Sequence, residues 1–393
     1  MERKKLVTVT GETVAHREFA DAIRRRLGGE GRVFLYWKGR VALYALLEAI
    51  GVEQGDEVIL PAYTCVVVPN AILYAGGTPV YVDVRPETYC MDVAKLPAAI
   101  SDRTKAILCQ NTYGLSADVE KVVAIARDHG VATVEDCAHG FGGTYKGRPN
   151  GTYCDAAFFS SQWNKPFSTG LGGFAAVNNP ELVPAVEALE KEKAAPGPRE
   201  AVALRALLVA RKCLLNDLTY WPLRAAYRWL SERDLILGSS RGQELDSAEM
   251  PDDYFKAMSP VQAKAGLRAL AGLDELLDRR RRNAETYTRF LENHGKTAVP
   301  RALFPDHSFL KYPLLVRDRA AFSAAAETAH VPLGDWFVSP IHPVPSHLER
   351  WGFEPAQFPV AGRLAAQVVN LPTESRTPQK VLAFLDRRLD LVL

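Results

Sequence analysis

Short apolar runs alternate with amphipathic stretches between residues 33 and 178. Val41 to Ile50 carries Leu43, Leu46, Leu47 and Ile50 at helical spacing, which predicts a helix. Glu57 to Pro61 predicts a buried strand, Val66 to Tyr74 a helix, and Pro79 to Val84 a second strand. Ala106 to Gln110 predicts a third strand, followed by a helix over 118–129. Val131 to Glu135, Ala156 to Ser160 and Phe174 to Val177 predict three more strands. β-Branched strands separated by helices imply an α/β fold with helices on both faces of a mostly parallel sheet. We therefore expect three layers, a mostly parallel sheet between two layers of helices. Ligands in such folds collect beyond the carboxyl ends of the strands, where Tyr113, Asp136 and Ser160 fall.

The pattern changes after residue 186. Lys191 to Pro198 is charged and contains Pro and Gly, which predicts a linker. Ala201 to Leu230 is apolar but carries Arg205, Arg211, Lys212, Arg224 and Arg228, and Pro222 interrupts it. Two basic amphipathic helices are expected there, packed on the subunit or its partner, closing over a substrate, or touching a membrane surface through 199–235. From Ser259 one long helix is predicted, through Leu267 and Leu277 to the basic run Arg279 to Arg282. Strand-like runs at Tyr312 to Val316 and Val368 to Leu371, with a helix over 378–391, predict a smaller α+β domain. The expected division is 1–250, with a helical insertion at about 190–250, and 251–393.

A length of 393 residues suits about two domains. A net charge of +2 argues against a protein that grips nucleic acid through a strongly basic surface. The six cysteines lack Cys-x-x-Cys spacing, so free thiols in a cytoplasmic protein are expected rather than disulfides or a metal site. The charged start Met1 to Lys5 is followed by no long apolar stretch, and no run is long enough to span a membrane.

The candidate chemistry centres on Lys165. The strand-like Ala156 to Ser160 is followed by Ser161, Gln162, Trp163, Asn164 and Lys165, and then by Gly170, Gly172 and Gly173. Upstream, an apolar run ends in Asp136, with His139 three residues on. A lysine able to form a Schiff base and an aspartate on a separate strand end are what a pyridoxal phosphate (PLP) enzyme requires. Lys165 would then carry the aldehyde and shuttle a proton, once desolvation lowers its pKa. Asp136 would keep the pyridine nitrogen protonated, and His139 would reach the ring hydroxyl or pack on the ring. Gly39 opens a helix, so the amides of Arg40, Val41 and Ala42 are candidates to bind a phosphate. Ser160 would add its hydroxyl. Each residue also has a plain structural reading: an exposed lysine, a capping aspartate, a core histidine, a turn glycine. Their order and common placement at strand-to-helix junctions favour the PLP site.

These residues resemble the DegT/DnrJ/EryC1/StrS family of sugar aminotransferases, within PLP fold type I (aspartate aminotransferase-like). The resemblance rests on Gly39-Arg40-Val41, Gly55 to Thr64, Pro79 to Asp83, Tyr113-Gly114, Glu135 to His139 and Ser160 to Lys165 with Gly172-Gly173. It continues in Met258-Ser259, Gln262-Ala263, Phe358 to Ala361 and Asn370 to Pro372. It implies a three-layer, mostly parallel seven-stranded sheet in the large domain, a homodimer with shared active sites, and transfer of an amino group, usually from glutamate, to a nucleotide-linked keto sugar. By position Lys165 matches the Schiff-base lysine, Asp136 the pyridinium partner, Ser160 a phosphate ligand and His139 a residue near the ring hydroxyl. Cys65 stands where many members stack an aromatic on the cofactor, so Tyr63 or another side chain is expected to compensate; Tyr113 completes the cofactor's surroundings. Phe255 replaces an asparagine that reaches across the dimer. The apolar 199–235 segment keeps open a non-nucleotide carbonyl or lipid-linked substrate, and a non-catalytic PLP-binding relative stands as the remaining alternative.

Overall fold

The computed structural model describes residues 12–214, 219, 221–223, 226, 244, 245 and 247–393. Seven strands form the central sheet: β1 (Arg32–Tyr36), β2 (Glu57–Pro61), β3 (Thr78–Val82), β4 (Thr104–Gln110), β5 (Ala132–Asp136), β6 (Ala156–Ser160) and β7 (Gly173–Val177). Their order is β1-β7-β6-β5-β4-β2-β3. The pairs β2/β3, β2/β4, β4/β5 and β5/β6 are parallel, whereas β7 runs antiparallel to both β1 and β6. The predicted α/β class and mostly parallel sheet are found, with the direction of β7 making it mixed. Strand β1 carries no alternation in the sequence. Its last three residues are all buried, and its pairing to β7 places it in the sheet.

Continuous burial of β2, β6 and β7 follows from helices on both faces. The helix Gly39–Ile50 buries Val41, Ala42, Leu43, Ala45, Leu46 and Leu47. It stops at Gly51, which takes the left-handed conformation at φ 81°. On the other face Phe19, Phe141, Phe159, Phe167 and Phe174 form a second aromatic core.

The later part differs from expectation in three places. The long helix from residue 259 is two helices, Pro260–Ala271 and Leu273–Asn293, divided at Gly272, where lack of a side chain lowers the cost of leaving helical geometry. The predicted linker is anchored rather than loose: Lys193 is buried and donates to the Leu35 carbonyl at 2.9 Å. Of the basic helical segment, the structure describes Pro198–Leu214 as a helix; Arg224, Arg228 and most of the predicted second helix lie outside the described residues. The strands Tyr312–Leu315 and Val368–Leu371 pair antiparallel over their own apolar core. Residues between them also reach the main core. Ile341–His342 pairs parallel with Thr64–Cys65, and Phe337, Ile341 and Trp351 share a core with Leu46 and Tyr63.

Candidate functional site

The carboxyl ends of β4, β5 and β6 lie side by side, with Gln110 opposite Asp136 and Asp136 opposite Phe158. Ser160 faces Gly173 across β6/β7, and Gly173 faces Tyr36 across β7/β1. This register gathers Asp136, Ser160 and the start of the Gly39–Ile50 helix along one edge of the sheet, as the strand-end argument requires.

Asp136 is 5% exposed and its Oδ1 accepts the Ala138 N–H at 2.9 Å. Burial pushes its carboxyl up to about 6, against the pull of the Ala138 amide and of Lys165. Lys165 shows the complementary shift. Burial brings its ammonium down to about 8, while Cys65 and Asp136 oppose that change. The two groups therefore feel each other's charge, and each lacks an ion-pair partner within contact distance among the described residues.

His139 is fixed by its backbone neighbours. Its Nδ1 accepts the Tyr113 N–H at 3.2 Å, so the ring proton of neutral imidazole must sit on Nε2. Burial, reinforced by Lys165 and Lys311, lowers its pKa well below the ordinary value; His139 is a neutral donor. Tyr113 holds this geometry from a left-handed backbone at φ 59°, a conformation that costs about 1–3 kcal/mol for a bulky residue. Its phenol donates to the Trp336 carbonyl at 2.8 Å and lies 2.8 Å from the Tyr63 hydroxyl.

Tyr63 is fully buried in this phenol pair and edge-on to Phe337, so it does not stand in for an aromatic at Cys65. The ring presented to the site is Trp336. It stacks on His139 with centroids 4.5 Å apart and planes 10° from parallel, and Lys165 Nζ lies 4.3 Å from its centre. No periodicity in 331–340 marks Trp336. It arrives because the Ile341–His342 strand docks beside Cys65.

Gly39, Gly173 and Ser160 form a close backbone contact. A Cβ on Gly173 would lie 2.2 Å from the Gly39 Cα, and a Cβ on Gly39 would lie 2.9 Å from the Ser160 Cβ. Val41 departs from the expected amide cradle. Its N–H donates to the Lys38 carbonyl at 3.2 Å, and that of Ala42 leans to the same oxygen at 3.4 Å, because the helix begins at Gly39. The Arg40 guanidinium is paired with buried Glu244. Gly173→Ala is expected to lower the melting temperature, since the methyl group must displace backbone at a cost of about 1–3 kcal/mol or more. Unchanged melting would show that the contact yields freely.

The helix Pro198–Leu214 walls the same region. Leu204 and partly buried Leu208 pack with Trp163, Trp37 and Leu171, and the Arg211 guanidinium lies 5.4 Å from the Trp163 ring centre. Phe255 joins Tyr36 and Tyr44 in an aromatic cluster. All six cysteines are unbridged. Among the described residues no cluster of metal-binding side chains occurs, and no helix is long and apolar enough to cross a membrane.

The residues fit PLP on this structure's own terms. A buried carboxylate whose charged form is disfavoured calls for a cationic ring nitrogen, a lysine with a depressed pKa can supply a neutral amine, and a neutral imidazole N–H suits a ring oxygen.

The DegT/DnrJ/EryC1/StrS aminotransferase family matches residues 3–202 and 252–382. The chain is 42% identical to GDP-perosamine synthase of Escherichia coli O157:H7 over 144 residues, 37% of this chain and 40% of that protein. It is 38% identical to L-glutamine:scyllo-inosose aminotransferase of Streptomyces griseus over 182 residues, 46% of this chain and 43% of that protein. These matches thus span about two fifths of the relatives' lengths. The crystal structure of S. venezuelae DesV superposes with a TM-score of 0.73 at 21% identity, covering 98% of this chain and 92% of that one; this likeness shows a common fold.

Proposed function

The chain belongs to the DegT/DnrJ/EryC1/StrS aminotransferase family, and from that premise we propose that it is a PLP-dependent aminotransferase carrying an amino group from glutamate or glutamine to a nucleotide-linked keto sugar. The observation that carries this reading is the pairing of buried Asp136, at the end of β5, with half-buried Lys165, just beyond β6, whose pKa values are displaced toward each other. PLP, when bound, supplies an aldehyde and an electron-accepting ring. Lys165 then provides the neutral amine and moves the proton at the substrate carbon through Nζ. Asp136 holds negative charge against the ring nitrogen, and His139 donates from Nε2 to the ring oxygen. Ser160 and the helix start at Gly39 hold the phosphate, with Gly173 leaving room for backbone approach. Trp336, stacked on His139 beside Lys165 Nζ, would pack against the cofactor in place of an aromatic at Cys65.

The name of the E. coli relative supports a nucleotide-linked acceptor, while that of the S. griseus relative supports a second reading, an acceptor without a nucleotide. We also read the active unit as a cytoplasmic homodimer, in keeping with the free thiols, and the chain as a PLP-binding unit over 1–250 followed by a smaller unit over 251–393. The test is spectroscopic. PLP-loaded protein should lose its visible absorbance band on addition of L-glutamate or L-glutamine. Keto sugar nucleotides should restore the band more efficiently than scyllo-inosose. A band that no amino acid alters would overturn aminotransfer, and restoration by scyllo-inosose alone would favour the second reading.

A further inference from the structure

Lys311 stands just before the strand Tyr312–Leu315, and its backbone N–H donates to the Tyr113 carbonyl at 3.2 Å. Its ammonium lies 5.5 Å from the centre of the Trp336 ring, the ring that Lys165 Nζ approaches to 4.3 Å. Two ammonium groups thus converge on one indole. Among the described residues no carboxylate lies within ion-pair distance of Lys311. Glu374, the acid that acts on it most strongly, is engaged by the fully buried Arg280. Arg280 in turn donates to the Pro166 carbonyl, next to Lys165, at 3.0 Å. Burial lowers the Lys311 pKa, as does Arg280. A half-buried ammonium beside further cations and without its own counterion is an unfavourable arrangement that an incoming anion would relieve.

We propose that Lys311 receives a carboxylate of the amino-acid donor. The proposal rests on the aminotransfer reading and names the residue that recognises the donor. An amino acid carries a carboxylate on the carbon that bears the reacting amine, so a cation sharing a wall with Lys165 is placed to meet it. The phosphates of a sugar nucleotide are separated from the reacting carbonyl by the sugar ring, which puts their partners further out.

The test uses full-length PLP-loaded protein, Lys311→Met and Lys311→Arg, with glutarate as a carboxylate probe lacking the amine and GDP as a phosphate probe. Calorimetry should show glutarate affinity falling about tenfold or more in Lys311→Met, as expected for a lost hydrogen bond to a charged group. Lys311→Arg should recover most of it, and GDP affinity should not change. The half-reaction with L-glutamate should require correspondingly more amino acid in Lys311→Met. Borohydride trapping of PLP on Lys165 in each variant establishes that the site has formed. Equal glutarate affinity in the wild type and Lys311→Met, no glutarate binding by the wild type, or a loss confined to GDP would each overturn the assignment. Failure of aminotransfer itself is distinguishable: amino acids would leave the wild-type band unchanged while glutarate binding still depended on Lys311.

Discussion

Lys165→Ala is expected to abolish covalent attachment of PLP and to leave no measurable amino transfer. Borohydride reduction followed by peptide mass spectrometry should place the adduct on the peptide containing Lys165 in the wild type and on none in the variant. The size of the effect follows from the double task given to one nitrogen, since the same Nζ bonds the cofactor and carries the proton at the substrate carbon. Burial that brings this ammonium down to about 8 adds a pH signature. The neutral amine is the nucleophile, and its fraction grows as pH rises through the pKa. Reconstitution of the PLP-free protein should therefore accelerate between about pH 7 and 9 and level off above, rather than climbing toward the ordinary lysine pKa near 10.4. A rate that keeps rising past pH 10 would contradict the shift, and an adduct on another lysine would remove Lys165 from its role.

The sheet was legible because its strands are buried on both faces. A continuous apolar run bounded by turns locates such a strand to within a residue or two: β2 and β6 have the expected bounds, and β4 gains two residues at its start. The polar residues beyond those runs were legible for the same reason. The sheet register then brings Asp136, Ser160 and the Gly39 helix to one edge. Trp336 and Lys311 were not legible. The position of Trp336 depends on pairing between Ile341–His342 and Thr64–Cys65, and that of Lys311 on the bond of its N–H to the Tyr113 carbonyl; no local periodicity encodes contacts of such span. Two quoted motifs also proved to be framework. Asp83 accepts the Val360 and Ala361 amides at 3.2 and 3.0 Å, anchoring the helix Pro359–Gln367. Gln262 completes the capping box of Ser259 and donates to the Trp37 and Leu171 carbonyls. In both cases a polar residue saturates backbone groups that burial would otherwise strand.

Asp136→Asn is expected to separate catalysis from folding. The amide oxygen can still accept the Ala138 N–H that Asp136 Oδ1 now accepts at 2.9 Å, so the strand end keeps its shape while the charge is lost. Without that charge the ring nitrogen is no longer held protonated, and kcat/KM should fall about a thousandfold, roughly 4 kcal/mol of barrier at 1.36 kcal/mol per decade. Stability should move the other way in PLP-free protein. Burial raises the folded-state pKa of Asp136 to about 6, above the unfolded value near 3.9. Between those values the folded chain holds the proton more tightly than the unfolded chain, so this group's contribution to stability falls as pH rises through the window and stays lower above it. Asparagine carries no such penalty. At pH 7 the PLP-free variant should therefore melt at or above the wild-type temperature, and its advantage should shrink as pH is lowered through 6 toward 4. Thermal melts across that range, paired with steady-state kinetics at pH 7, provide the check. Wild-type turnover in the variant would strip Asp136 of its electronic role, and a melting temperature well below wild type at pH 7 would show that the carboxylate is a structural tie rather than a poised charge.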